Sequence, residues 1–227
     1  MVKSALIFAA SAAAAVLGSS AAGDEIRGRT GLPSMKGAIV HARSIDVVVR
    51  QVGSRLSVNQ TIKLETGGKD ARSFEMTWRE DDYRSEGIRT DDGRGFSRMR
   101  ISVDGKTVTP TSTAWKSNAK GDTITRRHTI PIQSAPKKRH VVIFSAESGM
   151  GVRGSRPVIE FVAKDLGGFA GPPDRLQVRI ELPRNAAANV DGVEPKPTDI
   201  SRNGMRWVWT KASPKRDIFV LLPPSKR

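Results

Sequence analysis

Ile45-Asp46-Val47-Val48-Val49-Arg50, followed by Leu56-Ser57-Val58-Asn59-Gln60-Thr61-Ile62-Lys63-Leu64, carries an apolar residue at almost every second position. Successive side chains of a strand point to opposite faces, so this period puts Ile45, Val47 and Val49 on one side of a sheet. The same rule puts Leu56, Val58, Ile62 and Leu64 on one face, opposite Ser57, Asn59, Thr61 and Lys63. Gln60 falls in line with the apolar set. Phe74, Met76 and Trp78 repeat the pattern, as do Ile124, His128, Ile130 and Ile132, then Val141 to Phe144. Val158 to Val162 is denser, and Leu176, Val178, Ile180 and Leu182 alternate with Gln177, Arg179 and Glu181. No helix-sized window after residue 22 has a 3.6-residue apolar period. The chain reads as all-β.

Turn chemistry divides these strands. Asp104-Gly105, between Met99-Ile101-Val103 and Thr107-Val108, is a dipeptide that favours the type I′ hairpin, because both central residues can adopt positive φ. Asn203-Gly204 gives the same signal inside Ile200 to Thr210. Arg79 to Gly95 is polar and charged and reads as a mobile loop. Pro110 to Gly121 is a second soft tract. Asp217 to Pro224 reads as a last buried strand. Strands at this spacing predict antiparallel β-sandwich architecture. The expected organisation is a flexible segment over 23–35, one sandwich-like half over 36–111, a linker over 112–122 and a second half over 123–224.

Residues 1–22 read as a cleaved signal helix: Lys3, an apolar run from Ala5 to Leu17, then Gly18-Ser19-Ser20-Ala21-Ala22. Small residues close this segment where a secretory peptidase needs them. The run is shorter than the roughly 20 apolar residues of a spanning helix. The expected location is secreted or periplasmic, with no transmembrane segment in the mature chain. The chain has 38 Lys and Arg against 23 Asp and Glu, a formal charge of +15, from which the leader removes only Lys3. Such basicity favours anionic partners. Export turns the expectation away from nucleic acid and toward an anionic envelope polymer, a polysaccharide or another envelope protein. Cysteine is absent, which excludes disulfides, a thiolate nucleophile and thiolate metal sites.

Familiar chemistry is thinly represented. Only His41, His128 and His140 can serve as bases or imidazole ligands, with no HExxH pattern and no metal-ligand spacing, and they read as structural or solvated. Glu147-Ser148-Gly149-Met150-Gly151 comes nearest to a serine elbow but has Ala146 in place of the first glycine. The carboxylates Asp81-Asp82 and Asp91-Asp92 lie among arginines in the polar stretch, where they read as solvated. No cofactor and no metal site is expected. Two groups remain as candidate binding residues. Arg126, Arg127, Lys137, Lys138 and Arg139 supply a basic surface for a polyanion, with affinity that falls as salt rises. Trp207 and Trp209 flank Val208 on one strand face and can either stack on sugar rings or cap the core.

Asp165-Leu166-Gly167-Gly168-Phe169-Ala170-Gly171-Pro172-Pro173 before a late strand, together with the Val103-Asp104-Gly105-Lys106-Thr107-Val108 hairpin, resembles exported bacterial β-sandwich proteins known only as domains of unknown function. The resemblance spans residues 36 to 222 and implies a fold but no activity. The function expected is a non-enzymatic interaction or structural module of the cell envelope that binds an anionic surface polymer through its basic turns. A carbohydrate-binding module using the strand tryptophans is the alternative. A hydrolase using the acidic loop is third.

Overall fold

The computed structural model describes residues 28–69, 72–83, 96–116, 123–153, 156–164, 166–183, 190 and 192–223. These form strands and turns without a helix. The signal segment 1–22, the carboxylate pair Asp91-Asp92 and residues 117–122 of the expected linker lie outside them. Among the described residues, no helix is long and apolar enough to cross a membrane.

The first strands in chain order are β1 (Gly28–Gly31), β2 (Ser34–Gly37), β3 (Val40–Val52), β4 (Arg55–Thr66), β5 (Ser73–Tyr83) and β6 (Ser97–Val103). Next come β7 (Lys106–Val108), β8 (Thr111–Lys116), β9 (Thr123–Gln133), β10 (Arg139–Gly149), β11 (Gly151–Arg153) and β12 (Arg156–Val162). The last are β13 (Arg175–Glu181), β14 (Gly192–Glu194), β15 (Asp199–Ser201), β16 (Gly204–Thr210) and β17 (Ile218–Leu221). They build two sheets. One runs β14-β17-β12-β1-β5-β9-β8, with β11 added on β12 and β2 on β5; the other runs β15-β16-β13-β3-β4-β10-β6-β7.

The all-β sandwich is as the alternation predicts, but its organisation differs from two halves in series. β4 pairs with β10, β5 with β9, and β3 with β13, so strands from before and after the expected linker lie side by side in both sheets. One core serves them all. The linker itself begins as β8, paired with β9. The expected flexible segment contains β1 and the first half of β2, each paired to β5. Two pairings are parallel, β1 with β12 and β3 with β13, within an otherwise antiparallel sandwich. Parallel neighbours need long crossovers, and the stretch between β3 and β13 supplies one.

Period two sets what faces inward. Ile45, Val47, Val49, Ile62, Phe144, Val178 and Ile180 from one sheet are buried against Met76, Trp78, Ile130, Phe161 and Val220 from the other. Trp78 of β5 stacks on Phe144 of β10 across the interface, ring centroids 5.0 Å apart. Full burial of each large aliphatic side chain stabilises by about 1.5–3 kcal/mol, so this layer carries the fold without staples. Gln60 sits within it, 1% exposed, and is satisfied across the sandwich. Its Nε2 donates to the Gly31 carbonyl at 2.8 Å and its Oε1 accepts from Trp78 Nε1 at 3.0 Å.

Asp104 and Gly105 have φ of 51° and 79°, as the type I′ hairpin requires. The second hairpin turns one residue earlier than its dipeptide suggests. Ser201 pairs with Gly204, so Arg202 and Asn203 form the turn and Gly204 opens β16. Glycine is needed there for close approach, since a Cβ would lie 2.2 Å from the Ile180 carbonyl oxygen. The Gly167-Gly168-Phe169 turn has a physical reason too. Gly168 has φ +84°, and a Cβ on it would lie 1.9 Å from the Met35 carbonyl oxygen. Its neighbours fasten the turn under β2 and β3: Met35 N–H donates to the Gly167 carbonyl at 2.8 Å and Ala170 N–H to that of Val40 at 2.9 Å.

Candidate functional site

The five basic candidates do not form one surface. Arg126 and Arg127 are adjacent on β9 and therefore project to opposite faces. Arg127 is exposed, opposite Arg79 in register. Arg126 turns inward, its Nη1 3.6 Å from Oε1 of Glu80, which is 2% exposed. Glu80 also corrects the reading of Arg79 to Tyr83 as loop: β5 continues through them. Its carboxylate is buried because Arg126 and His128 face it, the latter with Nε2 at 3.5 Å. From Arg127 to the end of β9 is about 20 Å at strand rise. Only beyond that end come Lys137, Lys138 and Arg139.

The Lys137-Lys138-Arg139 turn is exposed and built around Thr66. Thr66 N–H donates to the Lys138 carbonyl at 3.0 Å, Lys137 N–H donates to the Thr66 carbonyl at 2.9 Å, and Thr66 Oγ1 donates to the Ala135 carbonyl at 2.5 Å. Arg139 reaches Glu65 at 3.3 Å, and Arg43 shares the same carboxylate oxygen at 3.2 Å. The Arg43 hydrogen bond, with Arg139 adding to it, holds the Glu65 carboxyl below its ordinary value against the opposing effect of burial. Glu65 in turn raises Arg43, helped by Asp174. These are exposed ion pairs of small energetic weight.

The tryptophans separate as well. Trp207 and Trp209 share one face of β16, as alternation requires, but Trp207 is 1% exposed and belongs to the core. It is no sugar platform. Its Nε1 donates to the Pro195 carbonyl at 2.7 Å and so fixes the segment after β14. Thr198 completes that anchorage, its N–H donating to the Arg206 carbonyl at 2.8 Å and its Oγ1 accepting from Val208 N–H at 3.1 Å. Trp209, one step nearer the end of the strand, is half-buried and lines a cavity of about 690 Å³ with Val193, Pro195, Lys196, Lys215 and Arg216. Among the described residues Glu194 is the one carboxylate lining it, 3.8 Å from Arg216. An indole and an apolar wall under three cations make a cleft suited to a ring-shaped ligand that carries negative charge.

A second concavity of about 710 Å³ lies over β3, β13 and β16. Its arginines are already matched: Arg50 to Glu181 at 2.7 Å, Arg179 to the same residue at 3.6 Å, and Arg206 to Asp199 at 3.3 Å. That self-neutralisation makes it the weaker anion site.

Sequence reasoning missed the partners of the histidines. His41 is exposed, but His128 and His140 are buried, 6% and 2% exposed. Each has a serine at one ring nitrogen and a carboxylate at the other, and all four partners come from other strands or turns. Among the described residues no group of three His, Asp or Glu is placed to hold a metal ion.

No protein-family model and no curated protein matches the chain. It is similar to a solved structure from Legionella pneumophila of a protein provisionally named a nutrient binding protein, with 11% identity over 88% of this chain and 72% of that one, and a TM-score of 0.65. At that identity the likeness is one of fold, and it agrees with the all-β sandwich.

Proposed function

We propose that the chain is an exported ligand-binding module and that the cleft over Trp209 holds an acidic saccharide, with no chemistry required there. The observation that carries this reading is the cleft itself: an indole face and Pro195 form an apolar wall, while Lys196, Lys215 and Arg216 outnumber Glu194. Its volume falls in the range of small-ligand sites. The leader-like first 22 residues support export, and the basic composition supports a polyanion in that compartment. The name given to the Legionella protein is in keeping with a binding role. Lys137, Lys138 and Arg139 add long-range attraction rather than specificity, because they lie on a different part of the surface. Affinity electrophoresis tests the reading. Gels containing polygalacturonate should retard the protein and gels containing dextran should not, with Trp209→Ala abolishing the retardation. Equal mobility in both gels, or unchanged retardation of the variant, would sink it.

A further inference from the structure

Side chains from two separate turns meet at His140. The His140 Nδ1 lies 2.8 Å from Asp104 Oδ2, and its Nε2 lies 2.8 Å from Ser134 Oγ. Asp104 is held in turn by the Val141 N–H, which donates to Oδ1 at 2.9 Å. Burial would raise this carboxyl, but the Val141 N–H, the hydrogen bond to His140 and the charge of Lys138 together hold it below its ordinary value. An ionised carboxylate only accepts, so in the neutral ring the proton sits on Nδ1. In that form Nε2 is the acceptor and the Ser134 hydroxyl the donor, as a general base requires. The ring is fixed edge-on against Phe74, centroids 5.8 Å apart, and is 2% exposed, whereas Ser134 is half-buried in the turn after β9.

Hydroxyl, imidazole and carboxylate in this order are the nucleophile, base and orienting group of acyl transfer, an arrangement defined by geometry and not by chain order. His128 shows what falls short of it. Ser112 Oγ lies 2.8 Å from its Nδ1, but Glu80 Oε2 is 3.5 Å from Nε2 with no hydrogen bond formed, and Arg126 also faces Glu80. Ser134 Oγ has two further neighbours, the Ala135 carbonyl at 3.2 Å and Thr66 Oγ1 at 3.4 Å, both more distant than Nε2. The candidate donor for the developing negative charge is the Ala135 N–H. Lys137 and Lys138 N–H groups are taken up by the Thr66 and Ala135 carbonyls, while no carbonyl of the turn takes the Ala135 N–H. An amide directly after the nucleophile serves this role in the serine elbow.

We propose that Ser134, His140 and Asp104 form an acyl-transfer site that hydrolyses small carboxylic esters. Ser134 Oγ bonds to the carbonyl carbon as its proton passes to His140 Nε2, and the carbonyl electron pair moves onto oxygen beside the Ala135 N–H. Collapse breaks the bond to the alkoxide, which takes the proton from Nε2. Water then repeats the attack, releasing the carboxylic acid and restoring Ser134. The site lies four strand spacings from β16, about 19 Å, and is separate from the Trp209 cleft.

The test uses the full chain with a fluorophosphonate probe and p-nitrophenyl acetate. The expected result is a covalent adduct on Ser134, and ester hydrolysis that falls at least 100-fold in Ser134→Ala. The absence of cysteine allows a second readout that needs no turnover. Ser134→Cys introduces a single thiol, and its alkylation by iodoacetamide at neutral pH should be at least tenfold faster than in the Ser134→Cys, Asp104→Asn double variant. No adduct on Ser134, or equal alkylation rates, would overturn the proposal.

Discussion

Gln60→Leu replaces a side chain that ties the two sheets together by polar contacts at both ends, and its cost can be worked out from the geometry. Gln60 is 1% exposed, gives a hydrogen bond to the Gly31 carbonyl at 2.8 Å and takes one from Trp78 Nε1 at 3.0 Å. Leucine fits the volume but satisfies neither group. Each buried group left without a partner costs about 1–3 kcal/mol, so two cost about 2–6. Burying leucine instead of an amide returns about 1–2 kcal/mol. The net destabilisation is about 3 kcal/mol, which at a urea m-value of ~2 kcal/mol/M lowers the midpoint by about 1.5 M. Equilibrium urea unfolding, followed by Trp78 fluorescence and by far-UV circular dichroism, measures the shift. Adding Trp78→Phe removes one of the two orphaned groups, so the double variant should lose less than the sum of the single losses. A midpoint within about 0.3 M of wild type would refute the claim that this amide is satisfied by those two partners.

Gly168→Ala should destabilise by about 2–5 kcal/mol in the same assay, combining the left-handed φ of +84° with the clash against Met35. Asp104→Asn should flatten the acid limb of the stability profile. A carboxyl held below its ordinary value stabilises the fold above its unfolded pKa of about 3.9 and loses that contribution as pH falls through the folded value. Melting temperatures of wild type and variant should therefore differ at neutral pH and converge as the pH falls through the lowered folded value.

The strands themselves were legible because one face of each is buried. Ile45, Val47 and Val49, or Leu176, Val178 and Ile180, show the period of two directly, and all six are at most 1% exposed. The partner of each strand was not legible. Nothing in Leu176 to Glu181 names Ser44 to Arg50 as its parallel neighbour, because the pairing depends on a crossover and not on local pattern. Two separate halves were therefore a natural misreading of a chain that interleaves them. Local rules also overran at Arg79 to Tyr83. Their charge argued for a loop, but Glu80 is buried beside Arg126 and His128, which belong to another strand.

The candidate sites divide the same way. That Arg126 and Arg127 cannot share a surface follows from adjacency alone and was within reach of the sequence. That Trp207 is core while Trp209 is half-exposed was not, since both sit on the same face and differ only in how near they lie to the end of β16. The cations over Trp209 come from residues after β14 and β16, and the partners of His140 from two separate turns. Such groupings are products of topology.

Quenching of tryptophan fluorescence by acrylamide tests the binding account most directly. Of the four tryptophans, Trp78 and Trp207 are at most 1% exposed, and Trp209 lines the cleft. Comparing wild type with Trp209→Phe isolates its contribution. The account predicts that polygalacturonate protects wild-type fluorescence from acrylamide, that dextran does not, and that the protection disappears in Trp209→Phe. Protection of the same size in the variant, or none in wild type, would contradict it.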